Sequence, residues 1–308
     1  MPDDAVPSAS CLPSDNAESV LAELVDKGFA SVQHIASTGS TNADLLQPAL
    51  AEVPGGAVLR WADHQVSGRG RRGRSWFSGP GQALTFSVAL ERRVPAEPDP
   101  APASAFSLVA GLAVAETLEA SGLSAAPVLL KWPNDIVINE RKVVGILIEL
   151  KQRGDVQRMV VGCGINLIAP PSGAVTERAS QALLPGGLLQ AGNEGLDRGE
   201  GAGHNEPPLP AQRAARLVAE IALALQACHR QFFAQGMSGF IERWSARHCY
   251  QGQTIMLMDV QQTLAQGRCL GIDHQGSLVI ESERGRETFT IGEVSARPLS
   301  GASPGATT

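Results

Sequence analysis

The chain has 308 residues, 43% hydrophobic and 18% charged, the makeup of a folded protein with one large domain or a large and a small one. Its formal charge of −6 excludes a general nucleic-acid binder, because neutralising phosphates takes a broad basic face. Five cysteines (Cys11, Cys163, Cys228, Cys249, Cys269) stand without C-x-x-C or Cys/His spacing. They read as reduced and mostly buried, which fits a cytoplasmic protein and neither a zinc nor a disulfide framework. The opening "MPDDAVPSAS" has acids and prolines but no apolar run, so it is not a signal peptide. No stretch approaches the ~20 apolar residues of a membrane span.

Residues 1–15 read as a disordered lead, rich in Pro, Ser, Ala and Asp. "NAESVLAELVDKG" then puts Val20, Leu21, Leu24 and Val25 on one helical stripe closed by Gly28. "SVQHIAS" reads as a strand, "STNADLLQPAL" as a helix started by Ser/Thr, and "AVLRWADHQ" as a strand leading into an arginine-rich loop. "ALTFSVAL" is β-rich, and "AFSLVAGLAVAETLEAS" (105–121) is apolar enough to be a buried helix. "VLLKWPNDIVINERKVVGILIEL" suggests two strands joined by the turn "NERK", and "MVVGCGINL" a further one. Residues 171–209 are Gly/Pro-rich and aperiodic, the pattern of a mobile surface insertion. A second helical block follows, "AARLVAEIALALQACHRQFF" and "MSGFIERWSARH". From Gly252 onward, short strands with turn signals suggest a small β-barrel docked on the main body, before a tail at 301–308.

The densest signal is "GRGRRGRSWFSGPG" (68–81), with four arginines and five glycines. Its G-x-G-x-x-G fails as a dinucleotide turn, since that turn must follow a strand directly and open a helix, which Trp-Phe-Ser-Gly-Pro-Gly cannot do. Two readings stay open: a solvated basic loop, or an anion clamp whose glycines allow close approach while guanidinium forks hold oxygens. In the second, Trp76 offers a flat face to a purine. "KWPND" (131–135) gathers an ammonium, an amide and a carboxylate after a buried strand, with Lys142 following at the next turn. It reads either as a capped turn or as part of a cleft. Gly145 inside a strand marks close approach by a ligand or backbone, and "GCGIN" (162–166) repeats that theme before Asn166. "STN" (40–42) is by itself a helix N-cap before it is a ligand site.

In conjunction and order, "STN", "Q-x-x-GRGRRGRSWFS" (65–78), "KWPNDIVINERKVVGILIE" (131–149) and "GCGIN" resemble the biotin–protein ligases. The resemblance spans roughly residues 17–169 and 210–300. It implies an α+β fold: a mixed, mostly antiparallel sheet with helices on one face, of the class II synthetase-like biotin–lipoate ligase type, plus a small C-terminal SH3-like barrel. The implied division is a biotin/ATP-binding domain at 16–250, interrupted by the 171–209 insertion, and a β domain at 251–300. The implied reaction joins biotin to ATP as biotinyl-5′-AMP, with magnesium on the nucleotide, and passes biotin to a lysine of a biotin carboxyl carrier protein. Carried over, Ser40, Thr41, Asn42 and Gln65 bond the ureido ring, while Gly145 and Gly164 leave room for it. Arg69 and Arg71 close over carboxylate and phosphates and Gly70 permits the wrap; Arg72 is assigned to the adenylate as well, with either Arg72 or Arg74 open to face solvent. Trp76 covers the adenine, Lys131 bridges carboxylate and α-phosphate, and Lys142 supports the adenylate. Asn134 and Asn166 contact the nucleotide, and Asp135 orients the incoming amine or holds a cation.

Some members of the family carry an N-terminal DNA-binding repressor domain. Only 39 residues precede "STN" here, so no DNA partner is expected, and no membrane partner either. Monomer and homodimer both remain open. Competing readings are a lipoyl or octanoyl ligase of the same superfamily and an RNA-binding protein using residues 68–76.

Overall fold

The continuous apolar run of "ALTFSVALERR" forms β3 (Ala83–Arg93), buried on both faces along most of its length, as such runs are when a sheet is covered on both sides. It lies third in a seven-stranded sheet in this computed structural model, which describes residues 15–49, 54–171, 183–190, 209–259, 262–290 and 294–298. The predicted lead, the tail and most of the predicted insertion lie outside the described residues. The other strands are β1 (Phe29–Thr38), β2 (Ala57–Gln65), β4 (Leu129–Lys131), β5 (Asp135–Ile138), β6 (Arg141–Arg153) and β7 (Val156–Asn166). Their order is β1-β2-β3-β7-β6-β5-β4. Only β1 and β2 run parallel; every other neighbouring pair is antiparallel. The "NERK" turn joins β5 to β6 with Asn139 and Glu140 both at positive φ, 48° and 60°, the twist a tight hairpin favours.

Period-two alternation along β3 assigns the two faces. Leu84, Phe86, Val88 and Leu90 enter the main core. That side carries α1 (Asp15–Asp26), α3 (Phe106–Ser121) and α4 (Ala211–Gln235), which pack on one another and on the sheet. The odd positions face the opposite way: Ser87 meets Thr41 and Asn42, and Ala89 packs on Leu45. The short helix α2 (Thr41–Leu46) therefore sits alone on the second face, and the functional cleft opens beside it.

Two sequence expectations need correction here. On α1, Ala17, Leu21 and Leu24 are buried but Val25 is 54% exposed, because one residue past Leu24 turns the side chain about 100° away from the stripe. Ala103–Ser121 is also long and apolar enough to cross a membrane by length and composition. In the fold that segment is packed within the protein core; Gly111 lets it approach the side chains of Leu130 and Ile146. Cys163, Cys249 and Cys269 are buried free thiols and Cys228 is half-buried; Cys11 lies outside the described residues.

The C-terminal strands β8 (Thr254–Asp259), β9 (Gln262–Ile272), β10 (Leu278–Ser282), β11 (Gly285–Phe289) and β12 (Val294–Pro298) form an antiparallel sheet in the order β11-β10-β9-β8-β12. Ile255, Leu257, Cys269 and Ile280 belong to the same hydrophobic core as the large sheet. Hydrogen bonds also tie β4 and the turn after it to the segment leading into the C-terminal sheet and to its β9–β10 turn. Leu130 N donates to Arg247 O at 2.7 Å, and Cys249 N donates to Leu130 O at 2.9 Å. Trp132 Nε1 donates to Gly276 O at 3.2 Å.

Candidate active site

The "STN" segment begins α2 with Ser40 in extended conformation as its N-cap, the hydroxyl accepting from Ala43 N at 3.5 Å. Thr41 N donates to Gln65 Oε1 at 2.8 Å, and the Thr41 and Ser87 hydroxyls lie 2.7 Å apart. Asn42 Oδ1 accepts from Ser87 Oγ at 2.6 Å. Its amide donates to Leu147 O at 3.2 Å and Glu149 Oε2 at 2.9 Å. An amide nitrogen has two protons to give, so Asn42 spends both inside the protein. All three "STN" residues are nonetheless buried and line the cleft with Gln65.

Beyond β2 the glycine-arginine stretch closes a small hairpin. Trp76 N donates to Gly68 O at 2.8 Å, Gly70 N donates to Arg74 O at 2.7 Å, and Arg69 bridges Ser75. No helix of the dinucleotide kind follows; a single 3₁₀ turn covers Arg71–Gly73. The hairpin delivers Arg69, Gly70, Arg71, Arg72, Arg74 and Trp76 to the cleft. Arg72 and Arg74 are exposed at its edge.

Gly145 and Gly164 are register partners on β6 and β7. A Cβ on Gly145 would stand 2.7 Å from Trp76 Cζ3, and one on Gly164 would stand 2.3 Å from Trp76 Cε2. The room expected above these glycines is thus filled by the Trp76 indole, which the hairpin places there and which lines the cleft. The indole Nε1 is buried and without a hydrogen-bond partner.

The "KWPND" turn and the start of β6 supply the remaining groups. Asp135 Oδ1 lies 2.8 Å from Lys142 Nζ, and its other oxygen 3.9 Å from Lys131 Nζ. Burial alone would raise the Asp135 pKa, but Lys142, Lys131 and Arg71 outweigh it and hold the carboxyl below its ordinary range. Burial dominates at Lys131 and depresses its ammonium pKa, with Asp135 opposing. Arg71 Nη1 donates to Asn134 Oδ1 at 3.0 Å, and Asn134 Nδ2 donates to Ile146 O at 2.7 Å. Asn166, buried at the end of β7, completes the lining.

Every predicted site residue therefore meets in one cleft. Three features escaped the sequence reading. Ser87 and Glu149 hold Asn42 from below, hidden as single polar residues in apolar strands. Residues 183–190, expected within a mobile surface insertion, instead pack against β6: Lys142 N donates to Leu184 O at 2.9 Å, Gly186 N donates to Lys142 O at 2.9 Å, and Leu188 is fully buried. Leu183 and Pro185 thereby join the cleft. The apolar run "LLPGGLL" within polar surroundings was the available signal.

A cleft on one face of a mixed sheet, with arginines above and half-buried lysines around a carboxylate below, suits a protein that brings anions together, as a carboxylate-activating ligase must. Residues 36–166 match the Biotin/lipoate A/B protein ligase family. The chain is 32% identical over 285 residues to the bifunctional ligase/repressor BirA of Escherichia coli (strain K12), spanning 92% of this chain and 78% of that one. It is 31% identical over 262 residues to a biotin–[acetyl-CoA-carboxylase] ligase of Paracoccus denitrificans, spanning 84% and 98%. Among solved structures, the biotin protein ligase of Aquifex aeolicus in complex with biotin and ATP aligns over 89% of this chain and all of that one, with a TM-score of 0.62 and 25% identity. The chain belongs to the biotin–protein ligases.

Proposed function

We propose that the cleft under the Arg69–Trp76 hairpin is where this ligase joins biotin to ATP and from which it delivers biotin to a lysine of a carboxyl carrier domain. In the first step a biotin carboxylate oxygen attacks the α-phosphorus. The bond to the bridging oxygen of pyrophosphate breaks, and biotinyl-5′-AMP forms. Two anions must meet, so the chemistry asks for placed cations and no protein nucleophile. Lys131 serves the carboxylate and α-phosphate, Lys142 the adenylate, and Arg69 and Arg71 close over both. Asn134 and Asn166 take the nucleotide. In the second step the neutral carrier amine attacks the acyl carbon, AMP leaves with its electron pair, and the amine loses a proton.

The observation that carries this reading is the pair of lysines around one buried carboxylate beneath the arginine hairpin. It also refines Asp135. With two lysines of this chain on its oxygens and its pKa depressed, it suits holding those lysines better than accepting a proton from the carrier amine. Thr41, Gln65 and Ser40 remain as polar partners for the ureido ring, beside the apolar wall of Trp76. Among the described residues no group of three His, Cys, Asp or Glu is placed to hold a metal ion. Magnesium would therefore enter on the nucleotide phosphates, as it does where few carboxylates are offered, and no ligand in this chain is assigned to it. Free thiols at all four described cysteines support a reducing, cytoplasmic setting.

Incubation with ATP, biotin and a carrier domain tests the reading. Biotinyl-5′-AMP and a labelled carrier lysine are expected. Absence of the adenylate overturns it, and activation of lipoate or octanoate in place of biotin would reassign the substrate.

A further inference from the structure

β6 presents four residues in alternation to the cleft face, and each is engaged. Gly145 lies under Trp76, and Leu147 O accepts from Asn42. Glu149 Oε2 accepts from Asn42 Nδ2 at 2.9 Å and stands 3.6 Å from an Arg69 guanidinium nitrogen. Lys151 Nζ donates to the carbonyls of Leu46, Gln47 and Pro48 at 2.9, 3.3 and 3.2 Å, where cations suit a helix C-terminus. One strand thus fixes both ends of α2 and reaches the arginine hairpin. The pivot of this arrangement is a single oxygen of Glu149, shared by the two segments that border the cleft from opposite sides.

Neighbouring geometry leaves Asn42 no alternative seat. A Cβ on Gly162 would come within 2.3 Å of Asn42 Oδ1, so the carboxamide lies directly on the sheet backbone. Its oxygen is taken by Ser87 and its nitrogen by Leu147 and Glu149. Removing Glu149 strands one N–H in a nearly buried pocket, since Asn42 is 3% exposed, and an unmet buried donor is expensive. The Arg69 contact is of another kind: the side chains are 45% and 28% exposed, so the pair is weak. It is strong enough to bias a loop and weak enough to yield to a phosphate.

We propose that Glu149 is a positioning residue of the ligase reaction, which locks Asn42 and with it the Ser40–Thr41 start of α2 beside biotin, and holds Arg69 over the cleft, so that it sets how long the adenylate is retained. The inference rests on the ligase reading above. It assigns no contact between Glu149 and substrate.

The test compares wild type with Glu149→Ala, Glu149→Gln, Arg69→Ala and the Arg69→Ala/Glu149→Gln double variant, in biotin KM, kcat and the rate of biotinyl-5′-AMP escape. Glu149→Ala should raise the biotin KM and the escape rate about tenfold each, with kcat at saturating biotin within about threefold. Glu149→Gln keeps an acceptor for Asn42, so its KM should stay within about threefold while escape accelerates about threefold through loss of the charge. In the Arg69→Ala background that acceleration should vanish, because its partner is gone. Unmoved KM and escape in Glu149→Ala, or an undiminished Glu149→Gln effect without Arg69, overturns the proposal. Should Glu149→Ala fail to fold, the cycle with the near-isosteric Gln decides. A wild type that forms no adenylate overturns the ligase reading itself, whereas a normal wild type with unresponsive variants sinks the role of Glu149 alone.

Discussion

Arg69, Arg71, Arg72 and Arg74 reach the cleft from a glycine-rich hairpin, whereas Lys131 and Lys142 reach it from strands of the sheet. On the hairpin, Arg69 meets Glu149 at 3.6 Å and is 45% exposed, while Arg71 donates to Asn134 at 3.0 Å. The lysines are 13% and 25% exposed and share the Asp135 carboxylate, the nearer at 2.8 Å. Charge held in the sheet is fixed before any ligand arrives and needs no reorganisation, the condition for stabilising charge in a transition state. The Arg69 charge, in a solvent-exposed pair, costs little to reorganise, the condition for closing on a ligand and releasing it. One cleft thus combines a rigid set of cations suited to chemistry with an adjustable set suited to retention.

Substitutions should separate the two sets. The largest loss is expected for Lys131→Ala, with adenylate formation falling by about a hundredfold or more; pyrophosphate release measures it, and a near-normal rate would remove Lys131 from the first step. Gly164→Ala comes next, since its methyl would displace the Trp76 indole from 2.3 Å. We expect biotin KM to rise about tenfold with the fold retained, as overpacking costs about 1–3 kcal/mol. Arg69→Ala should speed adenylate escape about tenfold while leaving its formation within about threefold, which a quench assay for free biotinyl-5′-AMP would show. Arg72→Ala, at the exposed edge, should alter each of these by less than about twofold.

A contrast within the core adds an acid limb. Burial, with Arg92 and Arg230 nearby, pushes the His229 imidazole down to about 4. Between that value and the ordinary value near 6.5 the unfolded chain binds the extra proton, so stability is complete above this window and falls as pH drops through it. His229→Phe should flatten this loss, worth at most about 3 kcal/mol, in melting curves taken from pH 7 to pH 4. An unchanged slope would mean that His229 is protonated within the fold.

Much of this was legible in the chain itself. Residue types at "STN", "KWPND" and "GCGIN" announced polar groups at strand ends, and the structure brings all of them to one cleft. The strands and the apolar helix at 105–121 followed from period and composition. What could not be read was set by tertiary pairing. Trp76 read as a flat face for a purine, yet it fills the well over Gly145 and Gly164, because the β6–β7 register aligns those two glycines. Glu149 gave no signal in the sequence, since its bond to Asn42 exists only once α2 lies on the second face. Residues 183–190 lacked any periodicity, and their order comes from backbone bonds to Lys142 on β6 and to Leu167 just past β7.

The bond from Trp132 to Gly276 spans 144 positions of sequence, and Leu130 pairs with residues 247 and 249. Contacts this distant form only after a long stretch of chain has been closed into a loop. On the ribosome, the turn that carries Lys131 emerges well before the segments that brace it. That turn therefore gains its Trp132–Gly276 brace only once the strands β9 and β10 have been made, so its final setting is among the last parts of the fold to form.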